Sequence, residues 1–152
     1  SAWKARQAKD VSVVMVAAPF GGRWMPYARA YYAAQRLGVA AQTHAAMFRA
    51  LHEDGSLPLG DASAEEIATF YAGRGVDSAR FLATFNGPEV AADLQRAYAF
   101  IERSGVDGTP SLVVNGKYRI IGGKTYADRL NIVDRLIAQE RAARRPAARA
   151  KR

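Results

Sequence analysis

No cysteine occurs among the 152 residues, which excludes a disulfide framework, a thiolate metal site and a cysteine nucleophile within this chain. Histidine is almost as scarce. His44 and His52 are the only 2, and their spacing, with Glu53-Asp54-Gly55 behind the second, matches no metal-ligand pattern, so no metal site is expected. Ser-His-Asp catalysis has no anchor, because no G-x-S-x-G elbow is present. Long apolar runs are missing too: the longest, Val11 to Phe20, is interrupted by Ser12 and Pro19 and falls far short of the roughly 20 residues that cross a bilayer. Membrane insertion is therefore not expected, and no secretory signal peptide is read, since this run lacks a small-residue cleavage site.

Acidic residues are absent from one stretch. Residues 141–152 hold Arg141, Arg144, Arg145, Arg149, Lys151 and Arg152 with no acid, which accounts for six of the formal net charge of +8. The other 140 residues carry 16 basic and 14 acidic side chains, too even a balance to track a phosphate backbone, so no nucleic-acid partner is expected. The basic excess reads as a solvated helix end beside the negative end of a helix dipole; a nucleic-acid or membrane-surface arm is the alternative. The rest is ordinary. With 49% hydrophobic, 24% charged and 10% aromatic residues, the chain has the proportions of a globular protein and too high an apolar fraction for disorder.

Periodicity then orders the chain. Ala2 to Lys9 reads as the last two turns of a helix. Val11-Ser12-Val13-Val14-Met15-Val16 is short, β-branched and nearly all apolar, the pattern of a strand covered on both faces, and Pro19-Phe20-Gly21-Gly22 ends it. Pro26, placed as a first-turn proline, opens a helix with Tyr27, Tyr31 and Ala34 at helical spacing and Gly38 as its stop. A second helix runs from about Ala41 to His52, with Met47, Phe48 and Leu51 on one side. Ser63-Ala64-Glu65-Glu66 is a capping box for a third, whose apolar face is Ile67, Phe70 and Tyr71. Asp77 caps a fourth carrying Phe81, Leu82 and Phe85, and after Asn86-Gly87-Pro88 a fifth, Glu89 to Arg103, aligns Val90, Leu94, Tyr98 and Ile101. Residues 24–104 are thus an all-helical block whose aromatic residues read as core. Beyond it the period changes. Ser111-Leu112-Val113-Val114 and Lys117-Tyr118-Arg119-Ile120-Ile121 are strand-like, and Asn115-Gly116 between them signals a type I′ hairpin turn. The final helix, about Tyr126 to Arg144, aligns Tyr126, Leu130, Val133 and Ile137 in one stripe for packing on a sheet.

The informative segment is Gly105-Val106-Asp107-Gly108-Thr109-Pro110-Ser111. A proline at the entrance to a strand removes a ladder donor, and a cis Thr109-Pro110 peptide that turns the chain sharply into the sheet explains it; a trans proline tolerated on an edge strand is the alternative. The order helix, Gly-Val-x-Gly-Thr-Pro, short apolar strand, Asn-Gly turn with Lys117-Tyr118, strand and helix resembles the C-terminal part of a thioredoxin-like domain. More narrowly, it resembles the thiol:disulfide interchange protein DsbA family over nearly the whole chain. The resemblance implies an α/β, thioredoxin-like domain, N-terminally incomplete, with an inserted all-helical domain. Residues 1–23 would be its first segment, with the end of the active-site helix and one strand. Residues 24–104 would be the inserted helical domain, 105–144 the second segment with the proline loop, hairpin and last helix, and 145–152 a basic tail.

The family's chemistry implies the rest. Its Cys-x-x-Cys, at the start of a long helix, donates a disulfide to a folding client through a mixed disulfide, and here both that motif and the strand leading to it are missing. No catalytic residue is therefore expected in this chain, no cofactor is implied, and the chain alone is expected to be inactive. Val14, Met15 and Val16 stand where some members carry buried polar or basic groups, so no proton relay is carried over. Gly108, Thr109 and Pro110 are the candidate substrate-binding residues. A cis proline would present the Thr109 backbone at a strand edge, where an extended client adds through main-chain hydrogen bonds, and would set the Thr109 hydroxyl near the sulfurs. The implied partners are reduced or unfolded secreted proteins and a membrane-embedded DsbB-type reoxidant, in the periplasm. The missing strand should leave the edges at 11–16 and 111–115 unpaired. Three outcomes are expected: upstream residues supply the strand, a partner chain supplies it in a strand-sharing dimer, or the two edges pair directly. The alternative readings are a redox-inactive thioredoxin-like peptide-binding module and a cytosolic glutathione-dependent relative. Ile121-Gly122-Gly123-Lys124-Thr125 does not resemble the Trp-Gly-x-Asp-Arg segment the latter implies.

Overall fold

The computed structural model describes residues 2–149, with side chains through residue 144. In chain order the elements are α1 (Ala2–Ala5), a 3-10 turn (Gly22–Trp24), α2 (Met25–Arg36), α3 (Ala40–His52), α4 (Ala64–Ala72), α5 (Ser78–Phe85), α6 (Pro88–Ser104), β1 (Val113–Val114), β2 (Tyr118–Arg119) and α7 (Tyr126–Arg149). They fall into two compact units, one made by the chain's two ends, Ser1–Met15 and Ile101–Arg152, and one by Val16–Phe100. The sequence pattern places the boundaries after residues 23 and 104.

In the Val16–Phe100 unit, local chemistry sets where each helix starts and stops. Pro26 lies in the first turn of α2, where its missing N–H leaves no intrahelical bond unmade. The same helix ends in a Schellman motif, with the Val39 N–H on the Ala34 carbonyl at 2.9 Å and the Gly38 N–H on the Gln35 carbonyl at 3.0 Å. Ser63 and Glu66 form the expected capping box on α4: the Glu66 N–H donates to Ser63 Oγ at 3.1 Å and the Ser63 N–H to Glu66 Oε2 at 2.8 Å. Asp77 caps α5 by accepting the Arg80 N–H at 2.7 Å.

The apolar faces so delimited meet in one core, where Phe81, Ile67, Val90 and Pro19 are fully buried. The Tyr71 ring stacks on Phe81 with centroids 4.4 Å apart, and Phe85 lies 5.9 Å beyond. Burial of side chains of this size stabilises a fold by about 1.5–3 kcal/mol each. Three expected core positions are displaced. Phe48 is 56%, Trp24 42% and Tyr98 38% exposed, while Ala50 and Ala97 are buried. For Phe48 the neighbour is α2, on which α3 packs and whose buried residues are Tyr32 and the small Ala28, Ala30, Ala33 and Ala34, so the small Ala50 takes the inner position on α3. Phe48 rests on the exposed His52 instead, 4.5 Å away.

The other unit is built on the hairpin. β1 and β2 are antiparallel, with Val113 opposite Arg119 and Val114 opposite Tyr118. Asn115 and Gly116 have φ of 53° and 68°, the positive pair that a type I′ turn requires. The ladder is shorter than the sequence pattern predicts: beyond the assigned strands it adds one bond, from the Ile120 N–H to the Leu112 carbonyl at 3.0 Å. With no third strand among the described residues, the outer residues of the hairpin have nothing on which to extend. Val114 and Ile120 pack on Val133, with Trp3, Leu112, Leu136 and Ile137 at the margin. Tyr126, expected at the head of that stripe, is 52% exposed, because α7 begins before the short hairpin offers apolar cover.

α1 is one turn, shorter than the expected run to Lys9, and both it and the chain behind it are fastened to α7 by polar contacts. Trp3 Nε1 donates to Asp134 Oδ1 at 3.0 Å, and Arg141 grips Asp10 with two bonds of 2.6 Å, which hold the Asp10 carboxyl below its usual 3.8. The helix of α7 runs past the expected end at Arg144 to Arg149; the side chains of the basic tail, residues 145–152, lie outside those described. Among the described residues, no helix is long and apolar enough to cross a membrane.

The strand expected at 11–16 does not form. The segment has no ladder partner among the described residues, and Val14, Met15 and Val16 are 75%, 51% and 37% exposed. A strand exists only through the bonds of a neighbour, and here the segment's one backbone bond among the described residues is local, from the Val11 N–H to the Ala8 carbonyl at 2.9 Å. Direct pairing of this segment with residues 111–115 is likewise not formed.

Candidate functional site

The loop between α6 and β1 carries all three residues singled out from the sequence, Gly108, Thr109 and Pro110. It leaves α6 at Gly105 and Val106, whose N–H groups bond the Glu102 and Ile101 carbonyls, each at 3.2 Å. The Thr109-Pro110 peptide is cis, as expected. Ser111 Oγ donates to the Gly108 carbonyl at 2.6 Å, which closes the loop on itself around the two residues between. Thr109 is exposed, and among the described residues nothing bonds to its backbone N–H or carbonyl.

A shallow, open depression of ≈ 470 Å³ lies along this loop. Residues 107–111 form one side, and Arg119, Ile120, Ile121 and the α7 residue Arg129 form the others. Arg119 Nη1 stands 3.3 Å from Asp107 Oδ1. Arg129 Nη1 donates to the Pro110 carbonyl at 3.4 Å, so the first turns of α7 reach the proline directly. Gly123 makes that approach feasible: it holds φ at +95°, and a Cβ there would stand 2.9 Å from Arg129 Cγ and 3.0 Å from the Arg129 nitrogen. The start of α7 is fixed by a second reciprocal cap, from the Thr125 N–H to Asp128 Oδ2 at 2.9 Å and from the Asp128 N–H to Thr125 Oγ1 at 3.1 Å. Thr125 thereby holds the Asp128 carboxyl below its usual 3.8.

The far end of the hairpin is tied to the same helix. Glu140 accepts Lys117 Nζ at 2.9 Å, Asn115 Nδ2 at 2.5 Å and the Tyr118 hydroxyl at 3.4 Å, and these donors, Lys117 foremost, keep its carboxyl below the usual range. The hairpin is thus held at its turn by Glu140 and at its open end by Arg129, so the Thr109 loop is presented from a braced support.

The arrangement offers main-chain hydrogen bonding and charge but neither a nucleophile nor a paired acid and base. His44 and His52 lie in the other unit, against Tyr31 and Phe48, and among the described residues no group of three or more His, Asp or Glu could hold a metal. Asp107, Arg119, Ile121 and Arg129 were not singled out from the sequence. Strand alternation sets Arg119 on the face opposite Tyr118, a usable signal. Arg129 had none, because only the packing of α7 brings it to the loop.

A family model described as a DSBA-like thioredoxin domain matches residues 4–132. The thiol:disulfide interchange protein DsbA of Azotobacter vinelandii is 35% identical over 145 residues, which are 94% of this chain and 66% of that protein. The chain therefore spans just under two thirds of the length of the curated relatives it matches. Among solved structures, the oxidoreductase DsbA from Xylella fastidiosa matches with a TM-score of 0.89 at 52% identity, over 93% of this chain and 75% of that one. Pseudomonas aeruginosa DsbA matches with a TM-score of 0.86 at 34% identity, over 95% and 74%.

Proposed function

Because the chain belongs to the DsbA-like thioredoxin domain family and has its thioredoxin-like fold with a helical insertion, we propose that it forms the client-binding side of a periplasmic thiol:disulfide oxidoreductase whose Cys-x-x-Cys lies outside these 152 residues. The observation that carries this reading is the Thr109 backbone, unpaired and exposed beside Pro110. An extended polypeptide can bond to both of its groups as an added strand. Such bonds read no side chain, which suits a donor of disulfides to many reduced or unfolded secreted proteins. In the reaction, a client thiolate attacks one sulfur of the external disulfide to form a mixed disulfide. A second client thiolate then displaces the enzyme sulfur, so the client is oxidised and the cysteine pair takes up two electrons. A membrane-embedded reoxidant of the DsbB type would remove those electrons. The present residues supply no sulfur; they hold the client while sulfur chemistry proceeds beside it.

The test compares two polypeptides. The 152-residue chain should oxidise no dithiol peptide. The full-length gene product should oxidise one peptide dithiol per disulfide, through a mixed disulfide that acid quenching, alkylation and mass spectrometry trap. A full-length product without a cysteine pair, or turnover by the 152-residue chain, overturns the oxidoreductase reading; the first result would leave a redox-inactive peptide-binding module.

A further inference from the structure

We infer that Arg129 gives this site a preference for client segments that carry an acidic side chain beside the residue bonded to Thr109. The inference rests on the client-binding reading above. Arg129 is a cation without a counterion: its one partner among the described residues is the neutral Pro110 carbonyl at 3.4 Å, near the long limit of a hydrogen bond. Among the described residues Arg29 and Arg74 also bond only a backbone carbonyl, but each lies over a phenylalanine ring in the other unit, whereas Arg129 stands on the depression beside Thr109. The second guanidinium on the depression, Arg119, shares Asp107 at 3.3 Å, but that aspartate side chain is 88% exposed and so neutralises it weakly. The lining therefore presents two arginines against one solvated aspartate.

Position makes the excess charge selective. The Arg129 guanidinium touches the carbonyl of Pro110, the residue next to Thr109, and adjacent residues of an extended client stand about 3.3 Å apart. A carboxylate one residue from the Thr109 contact is thus within reach of the guanidinium, whose planar fork can hold both carboxylate oxygens. Gly123 and the Thr125-Asp128 cap fix the turn from which the side chain projects, so the cation is held at the site before a client arrives.

The experiment uses the 152-residue chain and three short extended peptides, identical except for glutamate, glutamine or lysine on either side of a central serine that stands in for the client cysteine. Binding is read from the amide resonances of residues 107–111 and the Arg129 side-chain N–H in NMR titrations. The glutamate peptide should bind about two- to fivefold more tightly than the glutamine peptide, the range of an exposed ion pair, and the lysine peptide less tightly than either. Added salt should compress the difference. Arg129→Gln should remove most of it, Arg129→Lys should retain more than glutamine does, and Asp107→Asn, which frees Arg119, should enlarge it. Equal binding of all three peptides overturns the inference and leaves the client-binding reading standing. A preference undiminished by Arg129→Gln also overturns it. If no peptide perturbs residues 107–111, the inference and the client-binding reading both fail.

Discussion

Alanine at Gly123 should destabilise the hairpin unit more than alanine at Gly116, and the structure says by roughly how much. Both glycines hold positive φ, +95° and +68°, a region that costs an L-residue about 1–2 kcal/mol. The entropy that alanine removes from the unfolded chain is the same at both and cancels in the comparison. At Gly116 the added methyl meets nothing within 4 Å, so backbone strain is the whole cost. At Gly123 it would stand 2.9 Å from Arg129 Cγ, 3.0 Å from the Arg129 nitrogen and 3.2 Å from Asp128 Cβ. The arginine stem can swing aside. The backbone nitrogen cannot, because it donates to the Thr125 carbonyl at 3.2 Å inside a turn closed by the Thr125-Asp128 cap. Overpacking of this kind costs about 1–3 kcal/mol. The expected loss is therefore about 2–5 kcal/mol at Gly123 against about 1–2 kcal/mol at Gly116, where whole domains have roughly 5–15 kcal/mol to lose.

The assay is urea unfolding in a Trp24→Phe background. This leaves Trp3 as the single tryptophan, and its indole bonds Asp134 of α7, so emission follows the unit that contains the hairpin. The midpoint for Gly123→Ala should fall well below that for Gly116→Ala. Equal midpoints would refute the steric reasoning and leave backbone conformation as the only reason for glycine at 123.

Three further outcomes follow from the helical unit. Phe81→Ala, which removes a fully buried ring stacked on Tyr71, should cost about 3–5 kcal/mol in denaturant titrations. Asp77→Ala and Ser63→Ala should each cost about 1 kcal/mol by the same measurement, through loss of the α5 and α4 caps. Burial pushes the Tyr71 hydroxyl up to about 12, against the opposing influence of the Thr43 side chain. The group thus stays neutral in the folded protein while it ionises near its ordinary 10.0 in the unfolded chain. Its contribution to stability is complete below pH 10 and declines as pH rises toward about 12; Tyr71→Phe should flatten that decline in unfolding curves taken across the alkaline range.

Caps and turns were legible in the sequence because each is decided within four residues. Ser63 and Glu66 satisfy one another, Asp77 meets Arg80, and Asn115-Gly116 supplies both positive φ values of its turn, whatever the rest of the chain does. The loop at Gly108, Thr109 and Pro110 was legible for a related reason, since a proline entering a strand leaves few geometries open. What could not be read is decided across space. Phe48 and Ala50 lie on one apolar helix, and the packing of α3 on α2 determines which of them turns inward. Arg129 lies in an ordinary polar first turn of a helix, and only the place where α7 lands on the hairpin makes it a neighbour of Pro110.

The segment at 11–16 shows where that distinction bites hardest. Its β-branched residues describe the surroundings they suit, a sheet interior with cover on both faces. They do not supply those surroundings, because a strand is a relation between two backbones. Here the second backbone is missing among the described residues, so residues with strand preferences remain unpaired and Val14 is 75% exposed. The hairpin 113–119 reached the opposite result with no stronger a pattern, because its partner is joined to it by a two-residue turn. Local sequence thus sufficed for strand formation where the neighbour is also local.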